Sequence, residues 1–348
     1  METHADPNVS GPSAAQNAGK LFVVLTPPSA LAVSVLHAIE AMVVRALGSV
    51  DKIKLSTIEA LRSEMHTRKN HHLLLYSDCP APESVTLIKQ AAPPVLVFAD
   101  DPVRVAQSLQ GKLGPDPIAA IRTTALSFAT LHDLILYSSH KLVLAPQDFR
   151  SLDVFLLKIA YMFSLPVAAK DVAKIAQEFS ARDEWAAVSS DGGRKAAAGN
   201  GIVSPFTRLF DNQPADQFYW PPALFFGTEP LGSPLRKHID LTGPARPILY
   251  GPYMHLPPGL WEMRIRFKIA ENKSGNALLV EWMEGGDIRQ SARISALPES
   301  GQFQFSLQVQ IVDPREPLQV RVSILEGAIE GFFEFEGVAL SRQAPRMG

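Results

Sequence analysis

The stretch Trp261-Glu262-Met263-Arg264-Ile265-Arg266-Phe267-Lys268-Ile269 alternates large apolar with charged residues without a break. Successive side chains of a strand point to opposite faces, so this segment specifies a β-strand with one dry and one wet side. The same period continues outward from it. Phe303, Phe305, Leu307, Val309 and Ile311 alternate with Gln304, Ser306, Gln308 and Gln310, and Leu318, Val320, Val322 and Ile324 alternate with Gln319, Arg321 and Ser323. Such runs, separated by Pro/Gly turns, specify an antiparallel β-sandwich or jelly roll over residues 217–343. The alternation places Trp261 in the core with Met263 and Ile265 rather than on a sugar-stacking face. It places Arg264, Arg266 and Lys268 on the opposite face. There, with Gln308, Gln310 and Arg321, they would line a polar groove or form a solvated sheet surface.

Upstream the pattern changes. Leu21–Thr26 is a continuous apolar run, stopped by Pro27-Pro28 and followed by a helical stretch, Leu31–Leu47, that ends at Gly48. Leu73–Tyr76, Val95–Ala99 and Lys141–Ala145 are further buried runs, spaced by helical segments. Strands that are apolar on both faces and separated by helices specify a three-layer α/β domain with a parallel sheet, here over residues 20–180. Ser189-Ser190-Asp191-Gly192-Gly193 and Ala196-Ala197-Ala198-Gly199-Asn200-Gly201 fall between the halves, and residues 181–216 read as a flexible linker. Residues 1–19 and 344–348 read as tails.

Composition narrows the function. In 348 residues, 33 basic and 35 acidic side chains give a formal net charge of −2, without the basic excess of a nucleic-acid binder. Cys79 is the single cysteine, which excludes an intramolecular disulfide, a Cys-based zinc cage and a CxxC redox motif. The first residues, Met1-Glu2-Thr3-His4, lack a basic n-region and an apolar core, and no run is long enough to span a bilayer, so a cytoplasmic location is expected. His71 and His72 are adjacent on an extended segment and point opposite ways, which disfavours a shared metal. Asp100-Asp101, at the end of an apolar run, fits either a divalent-cation site or the cap of the next helix. Cys79 reads as a buried, inert thiol.

Four segments of the first half resemble the sulfotransferase family. They are Leu21–Pro28 with its helix, Tyr76-Ser77-Asp78-Cys79-Pro80, Val95–Pro102 running on to Ser108, and Lys141–Phe149 with the helix after it. The resemblance implies a P-loop-type sheet with a donor site at Pro28, Ser29, Asp78, Asp100 and Ser108. The chemistry at those positions departs from the family. Pro28 is followed by Ser29-Ala30-Leu31 with neither glycine nor cation, and Asp78 and Asp100 stand where the family carries cations. The expectation is a degenerate donor site, a pseudoenzyme with no catalytic residue, no cofactor and no metal.

In the second half, Gly251-Pro252-Tyr253 and Leu256-Pro257-Pro258-Gly259 resemble a "GPY…LPPG" hairpin. It is found in carbohydrate-binding-like sandwich modules fused to bacterial polysaccharide-synthesis enzymes. That resemblance implies glycan contact, with Tyr250 and Tyr253 as stacking residues beside Arg264, Arg266 and Arg321. Together the two halves point to a non-catalytic accessory or scaffold protein of bacterial exopolysaccharide synthesis. Its partner would be a glycan or a synthesis protein, with self-association left open. The alternatives are a divergent sulfotransferase, a metal-assisted glycosyl or phosphoryl transferase using Asp100-Asp101, and a protein–protein adaptor without a small ligand.

Overall fold

The computed structural model describes residues 19–113, 116–144, 151–180, 200–295 and 297–343. Its first half is built on five parallel strands: β1 (Leu21–Leu25), β2 (Asp51–Lys54), β3 (Leu73–Ser77), β4 (Val95–Phe98) and β5 (Lys141–Leu144). They lie in the order β2-β3-β1-β4-β5. Helices α1 (Ala30–Leu47), α2 (Ile58–His66), α3 (Pro82–Ala91), α4 (Pro102–Leu113), α5 (Pro117–Tyr137), α6 (Leu152–Met162) and α7 (Ala169–Ser180) cover the sheet. The apolar runs are buried on both sides, which makes the three layers. Phe22, Val24, Leu96 and Phe98 pack with residues of α1, α6 and α7 in one cluster. Val23, Leu25, Val95 and Val97 belong to a second cluster with α4 and α5. The strand order reverses between β1 and β4, and ligands of such sheets bind at the carboxyl ends there. β2 and α2 escape a periodicity reading because Asp51–Lys54 is a short, half-polar edge strand.

The second half is a sandwich of two antiparallel sheets. One has the order β13-β12-β15-β10-β7-β8, and the other β14-β11-β16-β6 with β9 paired to β16. The strands are β6 (Gln217–Trp220), β7 (Phe226–Thr228), β8 (Leu231–Pro234), β9 (Ile239–Asp240), β10 (Arg246–Met254), β11 (Gly259–Ala270), β12 (Leu278–Glu284), β13 (Asp287–Ile294), β14 (Gly301–Ile311), β15 (Leu318–Ile324) and β16 (Phe332–Arg342). The inward residues of β11 meet those of the facing sheet as the alternation requires. Trp261 is fully buried and its indole Nε1 donates to Pro257 O at 3.0 Å. Across the sandwich, Trp220 and Trp282 stack with an interplanar angle of 4°.

Two expectations are corrected. The stretch read as a linker is folded where it is described: α8 (Asn200–Val203) runs into a 3-10 helix over Ser204–Asp211. Phe206 and Leu209 are buried there. The Phe206 ring stacks on Phe128 of α5 (centroids 5.4 Å apart) and meets Phe218 of β6 (5.0 Å), which in turn meets Trp261 (5.7 Å). One apolar core therefore runs from the α/β layer into the sandwich. The Gly/Ala/Ser-rich sequence before Phe206 obscures the helical spacing of Phe206, Leu209 and Phe210; residues 181–199 lie outside the described residues. The second correction concerns the hairpin. β10 and β11 belong to different sheets, so Gly251–Trp261 is an arch between layers. Pro257 and Pro258 lack the N–H groups that a hairpin ladder needs, which suits them to this crossing.

Candidate functional site

β3, β1 and β4 are neighbours, so their carboxyl ends bring Asp78, Pro28-Ser29 and Asp100 to one edge of the sheet. Ser29 is the N-cap of α1: its Oγ accepts from Ala32 N at 3.0 Å, which satisfies one of the helix's orphan donors. Asp78 is held by Lys54 of β2 at 3.0 Å. Asp100 is 4% exposed; its Oδ1 accepts from Asp101 N at 2.8 Å and lies 3.6 Å from Arg104 Nε. Burial pushes the Asp100 carboxyl up to about 6, against the opposing pull of Arg104 and the Asp101 N–H. Asp101 Oδ1 accepts from Val103 N and Arg104 N at 2.9 and 3.2 Å, so this carboxylate caps the start of α4. Ser108 sits half-buried further along α4.

Asp78 and Asp100 therefore do not confront each other as bare charges. Each has its own cation, Lys54 from an edge strand and Arg104 one helical turn on. Arg104 Nη1 is buried without a hydrogen-bond partner among the described residues. Among the described residues, no group of three or more His, Cys, Asp or Glu side chains is placed to hold a metal. His72 Nδ1 accepts from Lys20 N at 3.1 Å, and burial raises the pKa of Cys79.

The sandwich offers a different arrangement. A cavity of about 560 Å³ on the outer face of the six-stranded sheet is lined by Tyr250, Tyr253, Arg321, Arg246, Gln319 and Thr228, among others. Tyr250 of β10 and Arg321 of β15 are cross-strand partners. Arg321 Nε donates to Glu281 Oε2 at 2.6 Å, and Arg246 Nε lies 2.8 Å from Glu229 Oε1. In an unbroken strand, Tyr250 and Tyr253 would point to opposite faces. The register of β10 shifts between Pro252 and Met254, and Tyr253 takes φ +60°, so both rings reach the same face, 6.2 Å apart and nearly perpendicular. Phe226 of β7, the cross-strand partner of Tyr250, packs beside them, 5.6 Å from Tyr250 and 6.4 Å from Tyr253.

The α/β half also contributes. Arg122 of α5 lies 5.3 Å from the ring centroids of both Phe226 and Tyr253, and its Nε donates to Pro252 O at 2.8 Å. Its being the one arginine of the 21-residue helix was the available signal for Arg122. The alternation of Leu318–Ile324 set Gln319 on the face of Arg321; for Phe226, Arg246 and Thr228 the sequence held no signal.

Arg264 and Arg266 are elsewhere. They lie on β11, in the five-stranded sheet, where Arg264 Nη2 donates to Ser341 Oγ at 3.3 Å and Arg266 Nε to Gln304 Oε1 at 3.2 Å. The single groove combining them with Arg321 does not form, because alternation assigns a face within a strand and leaves open which sheet the strand joins.

The chain is thus a three-layer parallel α/β domain joined to an antiparallel β-sandwich. No protein-family model and no curated protein matches it. Among solved structures it is similar to mouse sulfotransferase SULT7A1 complexed with PAP, at 14% identity over 53% of this chain and 70% of that one, with a TM-score of 0.36. It is also similar to the xylan-binding module CBM15, at 12% identity over 30% and 76% with a TM-score of 0.23. A third likeness is to TmCBM61 in complex with β-1,4-galactotriose, at 11% identity over 43% and 100%, also with a TM-score of 0.23. No helix among the described residues is long and apolar enough to cross a membrane.

Proposed function

We propose that this chain is a non-catalytic accessory or scaffold protein of bacterial exopolysaccharide synthesis, whose sandwich holds a glycan in the Tyr250–Tyr253 cavity. The observation that carries the reading is the cavity itself, lined by two tyrosine rings, two ion-paired arginines, Gln319 and Thr228. Sugar rings present apolar C–H faces to aromatic surfaces and hydroxyls to fixed donors and acceptors. Its size lies within the ~300–1,000 Å³ range of ligand sites. The non-catalytic part is supported by the carboxyl edge, where Lys54 pairs with Asp78, Arg104 Nε lies 3.6 Å from Asp100, and Asp101 caps α4. The link to polysaccharide synthesis rests on the likeness of Gly251–Trp261 to modules fused to such enzymes.

Affinity electrophoresis through gels containing xylan, β-1,4-galactan or bacterial exopolysaccharides tests the glycan reading. Wild type is expected to be retarded by at least one polymer, and Tyr250→Ala to lose about tenfold in affinity, ~1.4 kcal/mol. Migration unaltered across the panel overturns it and favours the adaptor alternative. The phosphosulfate donor is expected to leave the Tm of wild type and of Asp100→Arg unchanged. A saturable rise for wild type at micromolar donor overturns the non-catalytic reading in favour of a divergent sulfotransferase.

A further inference from the structure

The Tyr250–Tyr253 cavity contains a guanidinium that the fold fixes without using all its donors. Arg321 of β15 faces Glu281 of β12 across the sheet, and its Nε donates to Glu281 Oε2 at 2.6 Å. Glu281 is buried, and Arg321 is the member of the pair that lines the cavity. The Arg321 side chain is 31% exposed. Its Nη1 and Nη2 have no hydrogen-bond partner among the described residues, and neither nitrogen is buried, so a ligand can reach both. An arginine anchored through Nε presents its two terminal nitrogens as a ready fork. The freedom that ordering this side chain removes is already lost in folding, which favours binding.

The lining carries two arginines against one carboxylate, Glu229. Glu229 is held by Arg246 at 2.8 Å. The other acids whose fields reach the arginines around the cavity are engaged elsewhere. Glu281 is covered, Asp240 accepts from Thr242 N at 2.8 Å, and Asp116 accepts from Ile118 N at 2.9 Å. Arg122 adds a third cation at the border of the cavity. Its Cζ lies 5.3 Å from the Tyr253 ring centroid, and it forms no ion pair among the described residues. Burial lowers its pKa, so its charge is poorly solvated where it stands. An anion in the cavity gains direct bonds from Arg321 and the field of Arg122, whereas a neutral sugar gains only weaker hydrogen bonds.

We propose that this cavity binds a uronic acid, whose carboxylate is received end-on by Arg321 Nη1 and Nη2. The proposal rests on the Tyr250–Tyr253 cavity being the glycan site and names the class of sugar that it takes. A planar carboxylate matches two parallel guanidinium N–H donors, and such charge-assisted bonds are about twice as strong as neutral ones. The Tyr250 and Tyr253 hydroxyls and the Gln319 amide have no hydrogen-bond partner among the described residues, and they remain for the ring hydroxyls.

Affinity electrophoresis of the full chain tests this with polyglucuronate, polygalacturonate and polymannuronate. Each is run beside its carboxyl-reduced form, in which the carboxylates have become primary alcohols. At least one uronate polymer is expected to retard wild type, with about tenfold higher affinity than its reduced form. Arg321→Gln combined with Glu281→Gln replaces the ion pair by a neutral hydrogen-bonding pair, which protects the fold. This double variant is expected to lose about tenfold in affinity for the uronate polymer, with cooperative thermal unfolding retained. Equal retardation by a uronate polymer and its reduced form overturns the proposal and leaves the cavity reading standing. So does retardation by neutral polysaccharides alone, or undiminished uronate affinity in the double variant. Equal retardation by dextran sulfate would assign the effect to the positive field and also overturns the carboxylate fork. Migration unaltered by acidic and neutral polymers alike overturns the cavity reading itself, and this proposal with it.

Discussion

The carboxyl edge of the parallel sheet and the outer face of the six-stranded sheet both contain arginines beside carboxylates, and at the second two tyrosine rings stand beside them. At the edge, Arg104 and Lys54 meet Asp100 and Asp78 where an incoming anion would have to sit. On the sandwich face, Arg321 meets Glu281 across neighbouring strands, and Arg246 meets Glu229. Arg246 is held further by Nη1 and Nη2, which donate to the carbonyls of Leu241, Pro244 and Asp240, whereas Arg321 commits its Nε to Glu281.

The strongest test of that contrast asks whether the two regions are separate at all. Phe206 is fully buried between Phe128 and Phe218. Phe206→Ala is expected to destabilise the whole chain by about 3–5 kcal/mol, in one cooperative urea transition. A loss confined to one half, seen as two separated transitions, would break the shared core into two.

Titration sharpens the comparison, because each half buries a group with the opposite sign of pH dependence. Asp100 titrates at 3.8 in the unfolded chain and at about 6 in the fold. The stability it contributes is therefore complete below 3.8 and lost as pH rises toward 6. His255 is 8% exposed, with Nδ1 3.0 Å from Pro314 O; burial drops its pKa from 6.5 to about 4. Its contribution is complete above 6.5 and lost as pH falls toward 4. Between pH 4 and 6 the two slopes oppose. Relative to wild type, the gain in unfolding free energy from pH 4 to pH 7 is expected to rise by up to about 3 kcal/mol in Asp100→Asn and to fall by a similar amount in His255→Gln. Equal pH profiles for the two variants would show that neither group titrates as its burial implies.

The smallest effect is expected on the other face of the sandwich. Arg266 is exposed and bonded only to Gln304 among its described contacts. Arg266→Ala is expected to change stability by less than about 0.5 kcal/mol and to leave polysaccharide retardation unaltered. Loss of retardation would restore that face as a glycan surface.

Much of the fold was legible because burial writes itself into period. The double-faced apolar runs Leu21–Leu25 and Val95–Phe98 announced a covered parallel sheet, and the strict alternation of β11 placed Trp261 in the core. The candidate site was legible only in pieces. Tyr250, Tyr253 and Arg321 could be named, whereas Phe226 and Arg122 could not, since a short strand and one helical arginine carry no periodic signal.

By itself, then, the sequence determined the class of each half, the inward and outward faces of the long strands, and the absence of glycine and cation in Ser29-Ala30-Leu31 after Pro28. Only the tertiary structure decided which sheet each strand entered, and with it that Arg321 parts company with Arg264 and Arg266. It also decided that Tyr253 turns to the side of Tyr250, that Asp100 and Asp78 are answered by Arg104 and Lys54, and that residues 200–211 pack into the core. The reason is physical. Alternation records whether a side chain meets water, a local property of one strand, whereas sheet membership, a bulge and an ion-pair partner are set by long-range contacts that hydropathy period does not encode.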